Sequence, residues 1–258
     1  MLKMAKSNSH FQNANRPKDF SHVSNFTNYM EIVFHILQEK KCVQKILDLP
    51  AGNGLFAARL RECGHTVTCA DINREKPDYV VADMNEPLPF ATGEFDVAVC
   101  MEGLEHTLYP AALIGELCRI TRSGGRIILT VPNVQNMFSR LKFLCTGFFY
   151  QFSPWGNFPR ARDEKKDRGH VSSLTYLQLR YLFDYHGAQI SALDGDRWKK
   201  KWLIPFLLPF LAVGWVWAKW ELSRQKVTPP RECSAMLRDL FYPPVLFSRS
   251  LILVFQKA

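Results

Sequence analysis

None of the seven cysteines stands at C-x-x-C spacing, and their odd number leaves one unpaired. A disulfide framework is therefore not expected, and the thiols read as buried groups in a reducing cytosol. Residues 1–20 lack the apolar core of a signal peptide, so export by that route is not expected. With no periodicity either, residues 1–24 read as a mobile arm. Acids are the scarcer charge: 24 Asp and Glu against 33 Lys and Arg leave a net charge of +9, which calls for an anionic partner, either nucleic acid or the acidic face of a membrane. The basic runs at residues 160–168 and 197–201 flank apolar sequence rather than alternating with aromatics, so base stacking is not served and nucleic acid is the less favoured partner.

What is present is a length of 258 residues with 47% hydrophobic content, enough to bury one large core. Apolar residues recur at helical spacing from Asn25 to Lys40. Short apolar runs follow at Lys45–Leu49, Thr66–Asp71, Tyr79–Asp83, Phe95–Cys100 and Arg126–Val131, with helices expected at Leu55–Cys63 and Pro110–Ile120. A Ser123-Gly124-Gly125 turn is expected before the fifth run. Ala188–Leu193 and Ser250–Phe255 read as two further strands. Strands alternating with helices predict an α/β fold, a mostly parallel sheet with helices on both faces. In such sheets ligands bind at the carboxyl ends of the strands. Asp48, Asp71, Asp83 and Glu102 stand at or just beyond those ends.

The loop Pro50-Ala51-Gly52-Asn53-Gly54 has the glycines that let backbone pass close to a ligand and turn into a helix. Alone it also fits a dinucleotide loop. Asp48, just ahead of it, would repel a pyrophosphate but attract a cationic amino-acid group. Asp71 can accept hydrogen bonds from both ribose hydroxyls, and Asp83 from an adenine amino group. An adenosyl sulfonium carrying an ammonium group suits these acids better than NAD does.

The series Leu47–Gly54, Ala70-Asp71, Ala82–Phe90, Phe95–Glu102, Leu104–His106 and Gly124–Asn133 resembles the class I methyltransferases, in particular the group of ubiquinone-pathway and small-molecule O-methyltransferases. The resemblance implies a Rossmann-like seven-stranded sheet whose last strand is antiparallel. It also implies S-adenosylmethionine as cofactor, held by Asp48, Pro50, Gly52, Gly54, Asp71, Ile72, Asp83, Met84, Cys100 and Glu102. One position departs: Pro50 stands where the family usually has glycine, which stiffens the loop near the methionine end.

The segment Met101–His106 looks like the E-x-x-E-H stretch of ubiquinone O-methyltransferases and of a small-RNA methyltransferase family in which it binds Mg²⁺. On a helical turn Glu102, Glu105 and His106 would face one way. They would then hold Mg²⁺ or Zn²⁺, or else His106 would serve as a metal-free base with the carboxylates in structural roles; the second reading is preferred. His170 lies where such enzymes often carry another histidine, so Glu102, His106 and His170 are the candidate catalytic residues.

Within an insertion at residues 194–249, Trp202–Trp220 is almost wholly apolar. As a helix it would be roughly 28 Å long. Both flanking strands belong to one sheet, and Glu221–Asp239 is too polar to cross back, so a spanning helix is not expected; Pro205 and Pro209 are expected to break its start. The insertion reads as an interfacial or re-entrant lobe anchored by tryptophans and Lys199–Lys201, with a buried lid or dimer contact as the other reading. It leaves and re-enters the domain, residues 25–258, on the ligand side of the sheet. These features together predict a methyltransferase on the cytoplasmic face of a membrane, peripheral or monotopic, acting on a lipid-linked or amphiphilic acceptor such as a glycan or quinone. RNA methylation and a non-catalytic cofactor-binding membrane module are the competing readings.

Overall fold

The computed structural model describes residues 25–40, 42–73, 76–152, 169–198, 201–226 and 229–258. The expected N-terminal arm, the basic run 160–168 and Lys199 and Lys200 lie outside them. The first helix, α1 (Asn28–Gln38), buries Tyr29, Met30, Val33, Phe34 and Leu37, one stripe at helical spacing. There follow β1 (Lys45–Asp48), α2 (Leu55–Glu62), β2 (Thr66–Asp71), β3 (Val80–Val81), β4 (Phe95–Met101), α3 (Pro110–Ile120) and β5 (Thr121–Pro132). Then come α4 (Met137–Thr146), α5 (Tyr176–Tyr185), β6 (Ala188–Gly195), α6 (Ile204–Ser223), α7 (Pro230–Leu240), α8 (Pro243–Phe247) and β7 (Ser250–Lys257).

The seven strands form one sheet in the order β3-β2-β1-β4-β5-β7-β6. The pairs β1–β2, β1–β4, β2–β3 and β4–β5 are parallel, whereas β7 runs antiparallel to both β5 and β6. Side chains alternate between the faces of a strand. Ala98, Cys100, Ile127, Leu129, Leu253 and Phe255 enter one buried cluster, with α3 and α5. Val97, Val99, Ile128, Ile252 and Val254 enter the other, with α1 and α2. Both faces are covered, which explains the continuous apolar runs.

Four details differ from the sequence reading. The third strand is only two residues long, because the chain turns at Asp83, whose Oδ1 accepts the Asn85 N–H at 3.0 Å. Residues 123–125 form an irregularity within β5 rather than a turn before it, since Thr121 already pairs with Phe95. The sixth strand runs on to Gly195, so the insertion starts at Asp196. The prolines do not break α6. Pro205 occupies the first turn, where backbone N–H groups need no partner, and Pro209 removes a single bond near the start.

The turn at residues 201–203 and α6 together make a helix, Lys201–Ser223, long and apolar enough by length and composition to cross a membrane. None of the side chains of α6 is buried; Phe206, Phe210, Val213 and Trp217 are each more than 60% exposed. The lobe is nevertheless fixed at its base. On α7, Asp239 accepts a 2.6 Å hydrogen bond from the buried Tyr176 hydroxyl and lies 3.7 Å from Arg180, both on α5.

Candidate active site

The carboxyl end of β1 delivers Asp48 into the interior, only 1% exposed. Neither of its carboxylate oxygens has a hydrogen-bond partner among the described residues. Burial, and secondarily the charge of Asp71, raise its pKa to about 7. A buried acid without a partner lacks the cation or donor that would stabilise it. That vacancy suits the ammonium group of the cofactor implied by the sequence.

The loop that follows is held from three sides. The Ala51 N–H donates to the Ala70 carbonyl at 3.0 Å, the Gly52 N–H to Asp71 Oδ2 at 2.9 Å, and the Tyr79 hydroxyl to the Gly52 carbonyl at 3.3 Å. Lys76 donates to the Asn53 carbonyl. Gly54 has φ +77°, a left-handed conformation, and opens α2. Asp71 Oδ1 accepts the Asn73 N–H at 2.9 Å, so Ile72 sits half-buried inside that turn. Asp71 thus organises the loop, one carboxylate oxygen accepting from Gly52 and the other from Asn73.

Asp83 and Met84 are half-buried on the turn after β3. Asn85 ties that turn to the segment after β4, its Oδ1 accepting the Leu108 N–H at 2.8 Å. Cys100 is buried on β4 and its thiol is pushed up by burial. Beside it lies a residue the sequence reading passed over. A Cβ on Gly103 would come within 2.5 Å of Pro50 Cδ and 3.2 Å of Cys100 Sγ. The segment after β4 can therefore lie directly against the Pro50 loop only because residue 103 is glycine.

Beyond β4 the chain does not form the α-helical turn expected. Glu102 has φ +47° and stands before a one-turn 3₁₀ helix, Leu104–His106. Its N–H donates to the Thr130 carbonyl at 2.9 Å, and its carboxylate lies 3.4 Å from Thr130 Oγ1, turned toward β5. Glu105, His106 and His170 instead come together, each offering one ligand atom within 4.8 Å of the others. Glu102 is outside that trio, so the residues of the less favoured metal reading, Glu102, Glu105 and His106, are not the group that comes together. The Glu105 carboxyl is 1% exposed and its oxygens lack hydrogen-bond partners among the described residues. Burial and the neighbouring Glu102 push its pKa well above the usual carboxylate range. Burial also raises that of Glu102, against the opposing pull of Arg249.

His170 reaches this place because its segment is hung on the 3₁₀ turn. Val171 and Ser172 N–H groups both donate to the Glu105 carbonyl, at 2.8 and 3.0 Å, and Ser172 Oγ donates to the Thr107 carbonyl at 2.6 Å. The His106 and His170 rings meet edge to face, centroids 4.9 Å apart, and Phe152 covers His170 at 5.4 Å. Two more site residues escaped sequence reasoning. Tyr29 is buried on α1, its phenol raised mainly by burial and further by the charges of Glu102 and Glu105. Arg249, just ahead of β7, faces the same acids, and its Nε donates to Gln151 Oε1 at 3.1 Å. The only signals were a tyrosine on an apolar helix face and an arginine at the end of the insertion.

A protein family described as a methyltransferase domain matches residues 20–193. Among curated proteins, a ubiquinone biosynthesis O-methyltransferase from Xanthomonas oryzae is 30% identical over 103 residues, covering 34% of this chain and 43% of that protein. A demethylmenaquinone methyltransferase from Beutenbergia cavernae is 34% identical over 96 residues, covering 33% and 40%. The chain thus spans less than half the length of these relatives. Of solved structures, a methyltransferase from Archaeoglobus fulgidus superposes with a TM-score of 0.54 at 13% identity, covering 89% of this chain and 93% of that one. One from Mesorhizobium loti gives 0.51 at 14%, covering 88% and 96%. At these identities the structures speak for the fold alone.

Proposed function

The chain belongs to the class I S-adenosylmethionine-dependent methyltransferases, and from that premise we propose that it methylates an oxygen of a lipid-linked or amphiphilic acceptor at an anionic membrane surface. The observation that supports an amphiphilic acceptor is α6, twenty residues with no buried side chain, following a strand that ends at the carboxyl edge of the sheet, where the site opens. A soluble enzyme gains nothing by exposing so continuous an apolar surface. The matched quinone methyltransferases support the same acceptor class.

Asp48 is placed to pair with the cofactor's ammonium group, the Gly52–Gly54 backbone to pass along its length, and Asp71 to accept from its ribose hydroxyls. Bound there, S-adenosylmethionine supplies an electrophilic methyl group on a good leaving group. The chain must then orient the acceptor and take its proton. His106, half-buried beside His170, is the base suited to neutral pH. The His170 ring packs edge to face on it, and Tyr29 and Arg249 lie near the acids Glu102 and Glu105.

The direct test is to incubate the protein with isotope-labelled S-adenosylmethionine and membrane lipid extracts. Label is expected in the lipid phase, in a species heavier by one CH₂; label appearing only in RNA, or nowhere, would overturn the proposal. Calorimetry on Asp71→Ala should show at least about tenfold weaker cofactor binding, about 1.4 kcal/mol, since loop and ribose lose the same acceptor; unchanged affinity would remove Asp71 from the site.

Asp48 adds a pH dependence. Its folded pKa, about 7, lies above the ordinary 3.8, so the folded chain holds this proton more tightly than the unfolded one. The ligand-free fold therefore loses stability as pH rises through that interval, and the loss is complete above about 7. Cofactor binding has the opposite sign, because the ammonium group pairs with the ionised form. Affinity should weaken by up to about tenfold per pH unit below neutrality. In Asp48→Asn the profile should flatten; a wild-type affinity independent of pH between 5 and 8 would contradict the pairing.

A further inference from the structure

We propose that α4 and the turn after it form a second lipid-docking element, so that the mouth of the site lies between two anchors. This rests on the membrane reading above and extends it to a surface that shares no sequence with α6. Only Ser139 of α4 is buried. Leu141, Phe143 and Phe148 are 40–46% exposed and Leu144 is 81% exposed.

The element is built rather than loose. Asn136 caps α4 by accepting the Ser139 N–H at 2.8 Å, and Gly147, at φ +72°, ends it. The chain then folds back, with Phe149 stacked on Phe143 at 4.4 Å and the Tyr150 N–H donating to Ser139 Oγ at 3.0 Å. Such a knob presents its apolar side chains at fixed positions. Its root adjoins that of α6, since Met137 and Phe138 line one crevice with Leu203, Ile204 and Leu207.

Charge selects the occupant. Residues 133–152 contain no acid and carry Lys142, the guanidinium of Arg140 being turned inward to the Gln135 carbonyl, and residues 197–219 contain no acid but carry five Lys and Arg. Two apolar elements with adjoining roots, each carrying cations without acids over these stretches, fit an anionic phospholipid surface. The knob is also joined to the chemistry. Gln151 and Arg249 exchange hydrogen bonds of 3.1 and 3.4 Å, and Phe152 covers His170. Lipid that seats Phe143 and Leu144 therefore bears on the wall of the acceptor site.

The test uses the full chain with Cys42→Ser and Cys63→Ser, leaving Cys145 on α4 as the exposed thiol among the described residues. Cys145 is labelled with an environment-sensitive fluorophore, and vesicles of phosphatidylglycerol and phosphatidylcholine containing a nitroxide lipid are added. The probe is expected to shift to the blue and to be quenched. In the same chain carrying Trp155→Phe and Trp198→Phe, tryptophan quenching by brominated lipid reports α6 and the turn before it separately, through Trp202, Trp215, Trp217 and Trp220. Quenched tryptophans with a Cys145 probe still in water would overturn the second anchor and leave the membrane reading standing; neither signal would end both. The double variant Phe143→Asp, Leu144→Asp should bind the same vesicles at least about tenfold more weakly with cofactor affinity intact, and wild-type vesicle binding would equally overturn the proposal.

Discussion

Replacing His106 with alanine should lower turnover by about a hundredfold or more, the usual cost of losing a positioned general base, while cofactor affinity stays at the wild-type value. His106 sits where the 3₁₀ turn, the Glu105 carboxyl and the His170 ring meet. A single-turnover assay with saturating cofactor separates the two quantities, and an active His106→Ala protein would move the chemistry to His170. The same assay run in EDTA separates a base from a metal ligand. If a divalent ion joined Glu105, His106 and His170, chelation would abolish turnover, Mg²⁺ or Zn²⁺ would restore it, and Glu105→Gln would lose most activity while still binding cofactor. Full activity in EDTA is the expected result. Hard ions favour several oxygen ligands, and the second carboxylate, Glu102, is turned away toward Thr130.

Reversing the charge of Lys199, Lys200 and Lys201 to Glu should nearly abolish binding to anionic vesicles. Each basic residue near such a surface contributes about 1 kcal/mol, so three should change affinity by roughly a hundredfold. The effect should shrink as salt rises, because the attraction is screened beyond about 10 Å at 0.1 M ionic strength. Sedimentation with vesicles at two salt concentrations measures both. If the triple variant sedimented like wild type, the attachment would not be electrostatic, and the apolar side chains of α6 and α4 would have to hold the protein.

The strands that carry the site were legible because each is a buried parallel strand ending in an acid or a glycine loop. Apolar runs with Asp48 and Asp71 at their ends located the loop before its geometry was known. The same logic overreached at Tyr79, which stands outside the strand and donates its hydroxyl to Gly52. The spacing of Glu102, Glu105 and His106 suggested one face because it assumed 3.6 residues per turn. A left-handed residue followed by a 3₁₀ turn breaks that period, and no residue type there announces it. His170 joined the trio through backbone hydrogen bonds to Glu105 across some 65 positions of sequence, a contact that periodicity cannot reveal. Gly103, Tyr29 and Arg249 escaped for the same reason: their roles depend on what packs beside them.

The place of β7 in the sheet sets an order of events during synthesis. β6 has β7 as its sheet neighbour, and β7 is translated after α6, α7 and α8. The apolar helix therefore leaves the ribosome while β6 is still unpaired and the edge of β5 is open. Until Ser250–Lys257 emerges, a nascent chain displays an uncovered strand edge and a bare hydrophobic helix together, the combination most prone to aggregate. A bilayer that received α6 at that moment would remove one hazard before the last strand removed the other, so attachment to the membrane would serve the birth of the fold as well as its later work.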